Sequence, residues 1–253
     1  MNRLALGLIA GLAALPALAP VLVHAQDSAM SDAERAALHA EIRAYLLENP
    51  EVLVEAMNVL QVREDDAATQ RDLLLVSSES DAIFLNPNDW VGGNPDGDIT
   101  LVEFMDYRCS YCRKAYTDVS ELLKTDGNIR FVVKEFPILG EASLLSSQFA
   151  IAVRMLHGDA AYEAAHHALI TLRGDPTPEI LTRLATDLGL DPQPVLARMG
   201  AADVRAVIDD NHALAATMGI SGTPAFVMKD LILRGYAPLE DMRAIVAEAR
   251  QGG

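Results

Sequence analysis

Cys109 and Cys112 are the only two cysteines in 253 residues, and only Ser110 and Tyr111 separate them. Two thiols at that spacing can staple the chain, hold a metal, or exchange electrons. As a staple the pair closes so short a loop that it contributes only about 2 kcal/mol, against more than about 4 kcal/mol for long loops. Zinc would need a second pair of ligands, and His39, His157, His166, His167 and His212 show no finger spacing relative to the cysteines. Copper(I), a soft ion, is satisfied by two thiolates, so that chemistry stays open. Reversible oxidation needs no organic cofactor and no metal, because the disulfide itself carries the electrons.

The flanking sequence shows what positions the pair. Ile99, Leu101, Val102 and Phe104 form an apolar run of strand length that leads into the cysteines, and Tyr111 to Leu123 continues with helical periodicity. Ile129 to Phe136 predicts a second strand, completing a βαβ unit with a parallel pair. Cys109 then stands at a helix N-terminus, where unpaired backbone N–H groups stabilise an anion, and is expected to be the attacking sulfur. Cys112 lies one turn inside on the same side, is expected to be more buried, and can resolve a mixed disulfide. Leu144 to Leu172, Glu179 to Leu188 and Asp203 to Met218 are helical by periodicity, with prolines 176, 178, 192 and 194 marking the loops. A short hairpin around Lys229 and Asp230 and a final helix over Leu239 to Arg250 follow. The predicted order is βαβ, a helical block, then ββα, with Trp90 ahead of the first strand. His166 and His167 read as surface and groove residues, since neighbouring helix positions cannot share one ligand.

At the N-terminus, Arg3 precedes an apolar run to Val23, and small residues at Val23 and Ala25 predict a secretory signal cleaved after Ala25. The mature chain would then work where disulfides persist. Ser31 and Glu34 have capping-box spacing ahead of a stripe of Leu38, Ile42, Tyr45 and Leu46, and a second stripe runs through Leu53, Met57 and Leu60. Gln61 to Asp72 is polar on every side and reads as a solvated helix or linker. Two helices this short cannot make a core alone, so they dock on the main domain or on a second copy. The composition counts 20 Lys plus Arg against 36 Asp plus Glu, which argues against nucleic acid as a partner.

The segments Glu103-Phe104-Met105-Asp106-Tyr107-Arg108, Cys109-Ser110-Tyr111-Cys112 and Gly222-Thr223-Pro224-Ala225-Phe226 resemble the DsbA-like periplasmic thiol-disulfide oxidoreductases. The resemblance implies an α/β thioredoxin fold with a helical insertion, preceded by a short N-terminal helical segment. The implied boundaries are 1–25 for the signal, 26–80 for the N-terminal segment with a linker, and 81–253 for the redox domain, with the insertion at about 141–218. It also implies that Pro224 is a cis-proline facing the pair, and that Thr223 offers its backbone to a peptide, alongside Ser110 and Tyr111. Glu103 and Lys134 would form an ion pair beneath the site that moves protons to or from Cys112.

Many strong oxidases of that family carry proline and histidine between the cysteines and valine before the cis-proline. Ser110, Tyr111 and Thr223 resemble the isomerase side instead. The N-terminal helices are similar to those of the suppressor-of-copper-sensitivity C proteins, which implies self-association through residues 31–60. The expected partners are protein substrates with thiols or disulfides and a membrane redox protein that recycles the pair. A monomeric dithiol oxidase and a copper(I) binder remain the alternatives.

Overall fold

The computed structural model describes residues 30–251. The signal expected over residues 1–25, with cleavage after Ala25, lies outside the described residues. The chain divides into two compact units between Val59 and Leu60.

In the first unit, α1 (Asp32–Glu48) opens with a complete capping box. Glu34 N–H donates to Ser31 Oγ at 3.3 Å, and Ser31 N–H donates to Glu34 Oε2 at 2.9 Å. No residue of α1 is buried. α2 (Glu51–Ser78) begins here and continues across the division as one helix. The polar stretch 61–72 is therefore helical: it contains neither Gly nor Pro, and Gln61 Nε2 donates to Asp65 Oδ1 one turn on, at 2.9 Å.

The second compact unit runs from Leu60, and the last turns of α2 pack within it. Asp72 receives both Arg234 Nη atoms at 2.7 and 2.9 Å, and Val76 is buried. The chain then runs through α3 (Ser80–Phe84), β1 (Trp90–Gly93), β2 (Ile99–Met105), α4 (Ser110–Asp126) and β3 (Ile129–Glu135). Five helices follow: α5 (Glu141–His157), α6 (Asp159–Ile170), α7 (Pro178–Asp187), α8 (Pro192–Met199) and α9 (Ala202–Thr217). β4 (Ala225–Met228), β5 (Leu231–Arg234) and α10 (Leu239–Gln251) close the unit. The sheet order is β1-β3-β2-β4-β5, with β2 and β3 parallel and the other pairs antiparallel.

β2 and β3 alternate across the sheet, so each supplies two apolar layers. Leu101, Met105, Phe131 and Val133 pack with Cys112, Val119 and Leu122 of α4 and with Met242 and Val246 of α10. Val102, Phe104 and Val132 face the other way, onto Val76, Ile83, Leu214 and Met218. Each fully buried Phe, Leu or Val contributes about 1.5–3 kcal/mol relative to an exposed one, so both faces hold the strands that carry the cysteines.

β1 was not expected, since two of its four residues are glycines, which have little strand propensity. Trp90 is its first residue, paired with Val133. A Cβ at Gly92 would lie 2.1 Å from the Trp90 ring, so glycine is what lets the indole fold back against the strand. The helical stretch expected over 144–172 is split at Gly158, whose φ of +82° ends α5 and starts α6. α8 starts on Pro192 behind an Asp191 cap, so that proline opens a helix where loop punctuation was expected.

Candidate active site

β2 ends at Met105, and Asp106, Tyr107 and Arg108 turn the chain into α4 with Cys109 as its N-cap. The turn is fixed by the buried Asp106 carboxylate. One oxygen accepts from Arg108 N–H at 2.7 Å, and the other accepts from the N–H groups of Ile138 and Leu139 at 2.8 and 3.1 Å. Asp106 thus joins the loops that follow the two parallel strands. Arg113 Nε, in the first turn of α4, donates to Tyr107 O at 3.0 Å. Arg108 reaches the helical insertion, where it donates to Gly174 O at 2.6 Å and Asp175 Oδ1 at 2.9 Å.

The two sulfurs have different surroundings. Cys109 is 8% exposed and its thiol donates to Thr223 O at 3.2 Å, across a peptide bond that is cis between Thr223 and Pro224. Cys112 is 1% exposed, and its sulfur accepts from Asp106 N–H at 3.5 Å. Burial pushes the Cys112 thiol far up, and the nearby Glu103 carboxyl and the Cys109 sulfur add to this. Ser110 and Tyr111 are exposed beside the pair.

Glu103 is buried and desolvation raises its pKa to about 8, so the carboxyl is mostly protonated at pH 7. The expected ion pair with Lys134 does not form. Glu103 is in register with Val133 and Phe104 with Lys134, so the two charged residues project from opposite faces of the sheet. Glu103 lies on the α4 side with Cys112. Lys134 Nζ instead donates to Ala82 O at 2.5 Å and to Asp89 Oδ2 at 2.5 Å, with side chains 0% and 2% exposed. Burial raises the Asp89 pKa to about 6, while the Lys134 ammonium opposes that rise.

A second polar cluster, which the sequence reading missed, lies under the turn. Glu135 Oε1 accepts from Tyr107 OH at 2.8 Å and from Tyr162 OH at 2.6 Å, and Tyr107 OH lies 3.0 Å from His166 Nδ1. The Trp90 ring stacks on Tyr162 at 5.3 Å, and Asn211 Nδ2 donates to Glu135 O at 3.1 Å. Burial raises the Glu135 pKa to about 7 and lowers that of His166 to about 4. His166 is therefore a core residue, and His167, bonded to Tyr116 OH at 2.7 Å, is the surface one. The signal available in the sequence was a second charge, Glu135, directly beside Lys134 at the end of β3, after the apolar run Phe131-Val132-Val133.

A family model described as "Thioredoxin" matches residues 85–248, and one described as "Copper resistance protein ScsC N-terminal domain" matches residues 34–67. A thioredoxin-like oxidoreductase from Silicibacter pomeroyi DSS-3 is 40% identical, with a TM-score of 0.64 over 68% of this chain and 97% of its own. The thiol-disulfide exchange protein alpha-DsbA2 from Wolbachia pipientis is 27% identical, with a TM-score of 0.66 over 72% of this chain and 97% of its own. Proteus mirabilis ScsC in a transitional conformation is 26% identical, with a TM-score of 0.65 over 88% of this chain and 100% of its own. The chain spans about a quarter of the length of the first curated relatives it matches, which are Na(+)/H(+) antiporters. Among the described residues no helix is long and apolar enough to cross a membrane. With more than half of its length matched, and with the mixed sheet and helical insertion of its DsbA- and ScsC-like neighbours, the chain belongs to the thioredoxin family.

Proposed function

We propose that this protein is a thiol-disulfide oxidoreductase that acts on protein substrates outside the cytoplasm. The observation that carries the reading is the placement of Cys109. It caps a helix, stands 3.2 Å from the carbonyl that precedes cis-Pro224, and has Cys112 buried behind it.

When the pair is oxidised, a substrate thiolate attacks Cys109 Sγ, the Cys109–Cys112 bond breaks, and Cys112 leaves as a thiolate. A second substrate thiolate then attacks the substrate sulfur of the mixed disulfide and releases Cys109. Two electrons pass to the protein and the substrate gains a disulfide. In the isomerase or reductase direction Cys109 attacks a substrate disulfide instead, and Cys112 resolves the adduct. Glu103, protonated and on the Cys112 side of the sheet, is the group that gives the Cys112 thiolate its proton or takes it back. Thr223 and Pro224 align the substrate backbone, and Ser110 and Tyr111 border it. Lys134, on the opposite face and paired with Asp89, is a structural residue in this scheme.

The isomerase direction is favoured by Ser110, Tyr111 and Thr223 in place of the residues of strong oxidases. It is also favoured by the exposed apolar stripes through residues 31–60, which suit self-association that gathers several sites around one substrate. Periplasmic residence and recycling by a membrane redox partner belong to the same reading. Copper(I) binding by the two sulfurs is a second reading, prompted by the description of the family matched at residues 34–67.

The test is to equilibrate the mature protein in graded glutathione buffers and count free Cys109 and Cys112 thiols by alkylation mass shift. A single two-electron transition above about −220 mV is expected. A pair that stays oxidised below about −300 mV would be an inert staple. Recovery of a scrambled disulfide substrate then separates isomerase from oxidase, and tight one-to-one copper(I) binding without turnover would select the second reading.

A further inference from the structure

Tyr111, Lys114 and Asp118 are spaced three and four positions apart and share one face of α4. From the loop between β5 and α10, Tyr236 lays its ring along that face and engages all three. Its OH donates to Asp118 Oδ2 at 2.6 Å, Lys114 Nζ stands 4.3 Å from its ring centroid, and its ring lies 6.2 Å from that of Tyr111 at an interplanar angle of 33°. Tyr236 is half-buried and tied at two points. Tyr111 is 60% exposed, and among the described Phe, Tyr and Trp side chains of the second unit it is the one that stands out in solvent. The ring belongs to the dipeptide between the two cysteines, beside Cys109. Lys114 has no carboxylate partner among the described residues, although the chain carries 36 acids, and its place is over a ring.

A tyrosine left to rotate freely would lose rotamer entropy on binding a substrate. A tyrosine braced from behind offers a fixed apolar face, and aromatic rings pair well at centroid separations of 4.5–7 Å. We propose that Tyr236, fastened by Asp118 and Lys114, is a positioning residue that holds Tyr111 as an aromatic ledge, and that the ledge selects substrates with an aromatic side chain next to the reacting cysteine. The selection rests on the disulfide-exchange reading above. It runs against Lys- or Arg-flanked cysteines, because the ammonium of Lys114 repels them at the edge of the ledge.

The experiment uses the reduced mature protein and three short peptides of one length. Each carries a cysteine joined by a disulfide to glutathione and flanked by Phe, Ala or Lys. In the reaction Cys109 and Cys112 become a disulfide while the peptide and glutathione leave as thiols, so the two electrons balance. The single-turnover rate for the Phe peptide is expected to exceed that for the Ala peptide about three- to tenfold, with Lys no faster than Ala. In Tyr236→Leu the Phe-to-Ala ratio should fall toward one, and Tyr236→Phe, which keeps the ring, should retain most of it. Because the readout is a ratio within one protein, a general loss of activity does not mimic it. A wild-type ratio of one, a Lys peptide that outruns the Phe peptide, or a ratio untouched by Tyr236→Leu would overturn the ledge. Failure to reduce any of the three peptides would instead overturn the exchange reading.

Discussion

Glu103 and Cys112 lie on the same side of the sheet; burial makes both harder to ionise, and the Glu103 carboxyl adds to the effect on Cys112. The folded Glu103 carboxyl has a raised pKa, so its favourable contribution is complete below about pH 4.5 and is lost as pH rises to about 8. Replacing it with Gln, which never ionises, is expected to stabilise the protein by a few kcal/mol at pH 9 and by little at pH 4. Denaturant unfolding at the two pH values checks this. The same variant should slow resolution of a trapped mixed disulfide, because the leaving or attacking Cys112 sulfur has lost its proton partner. Lys134 gives a contrasting case. Lys134→Met leaves Asp89 buried without its cation, and a loss of about 3–5 kcal/mol is expected at pH 8. The loss should shrink at pH 5, where Asp89 alone is protonated, and the glutathione midpoint should not move. The types of Glu103 and Lys134 were legible in the sequence as charges on apolar strands. Their separation was not, because a one-residue difference in strand register decides which face a side chain takes, and the cation's partner, Asp89, comes from a loop before β1.

At the scale of elements, helices and strands were legible wherever periodicity was long and uninterrupted, as in β2, α4 and β3. The losses were short or masked by glycine and proline. β1 is four residues long with two glycines, and its strand character comes from pairing with β3 rather than from its own propensity. α8 hid behind Pro192, which opens the helix at its first position. Gly158 separates two helices that periodicity alone would join, at a φ of +82° where a side chain is strained. Gly158→Ala is expected to cost about 1–2 kcal/mol and to be read as a lowered midpoint in urea. Ser31→Ala, which removes one half of the capping box, should cost α1 about 1 kcal/mol and reduce helical circular dichroism in proportion to fraying of that helix.

For the whole molecule, charge and burial together set the pH at which it is most stable. Asp89, Glu103 and Glu135 all have raised pKa values, at about 6, 8 and 7, so each disfavours the folded state progressively as pH climbs from their ordinary range to those values. His166 acts in the opposite direction. Its folded pKa of about 4 means that stability falls as pH drops from about 6.5 toward 4. The formal charge of −16 at pH 7 adds self-repulsion on the alkaline side. Thermal midpoints are therefore expected to peak near pH 5 and to decline toward pH 8, and a scan from pH 4 to 9 tests this. The Glu135 cluster has one more consequence. Tyr107 precedes the redox helix by three positions, Glu135 ends β3, and Tyr162, His166 and Asn211 come from two different helices of the insertion. These contacts tie the insertion to the redox loop, and the two are expected to open as one cooperative unit. Amide protons of α4 from Arg113 onward, the first whose N–H is bonded within the helix, should exchange with solvent at the same free energy of opening as those of α6, and both should shift together in Tyr162→Phe.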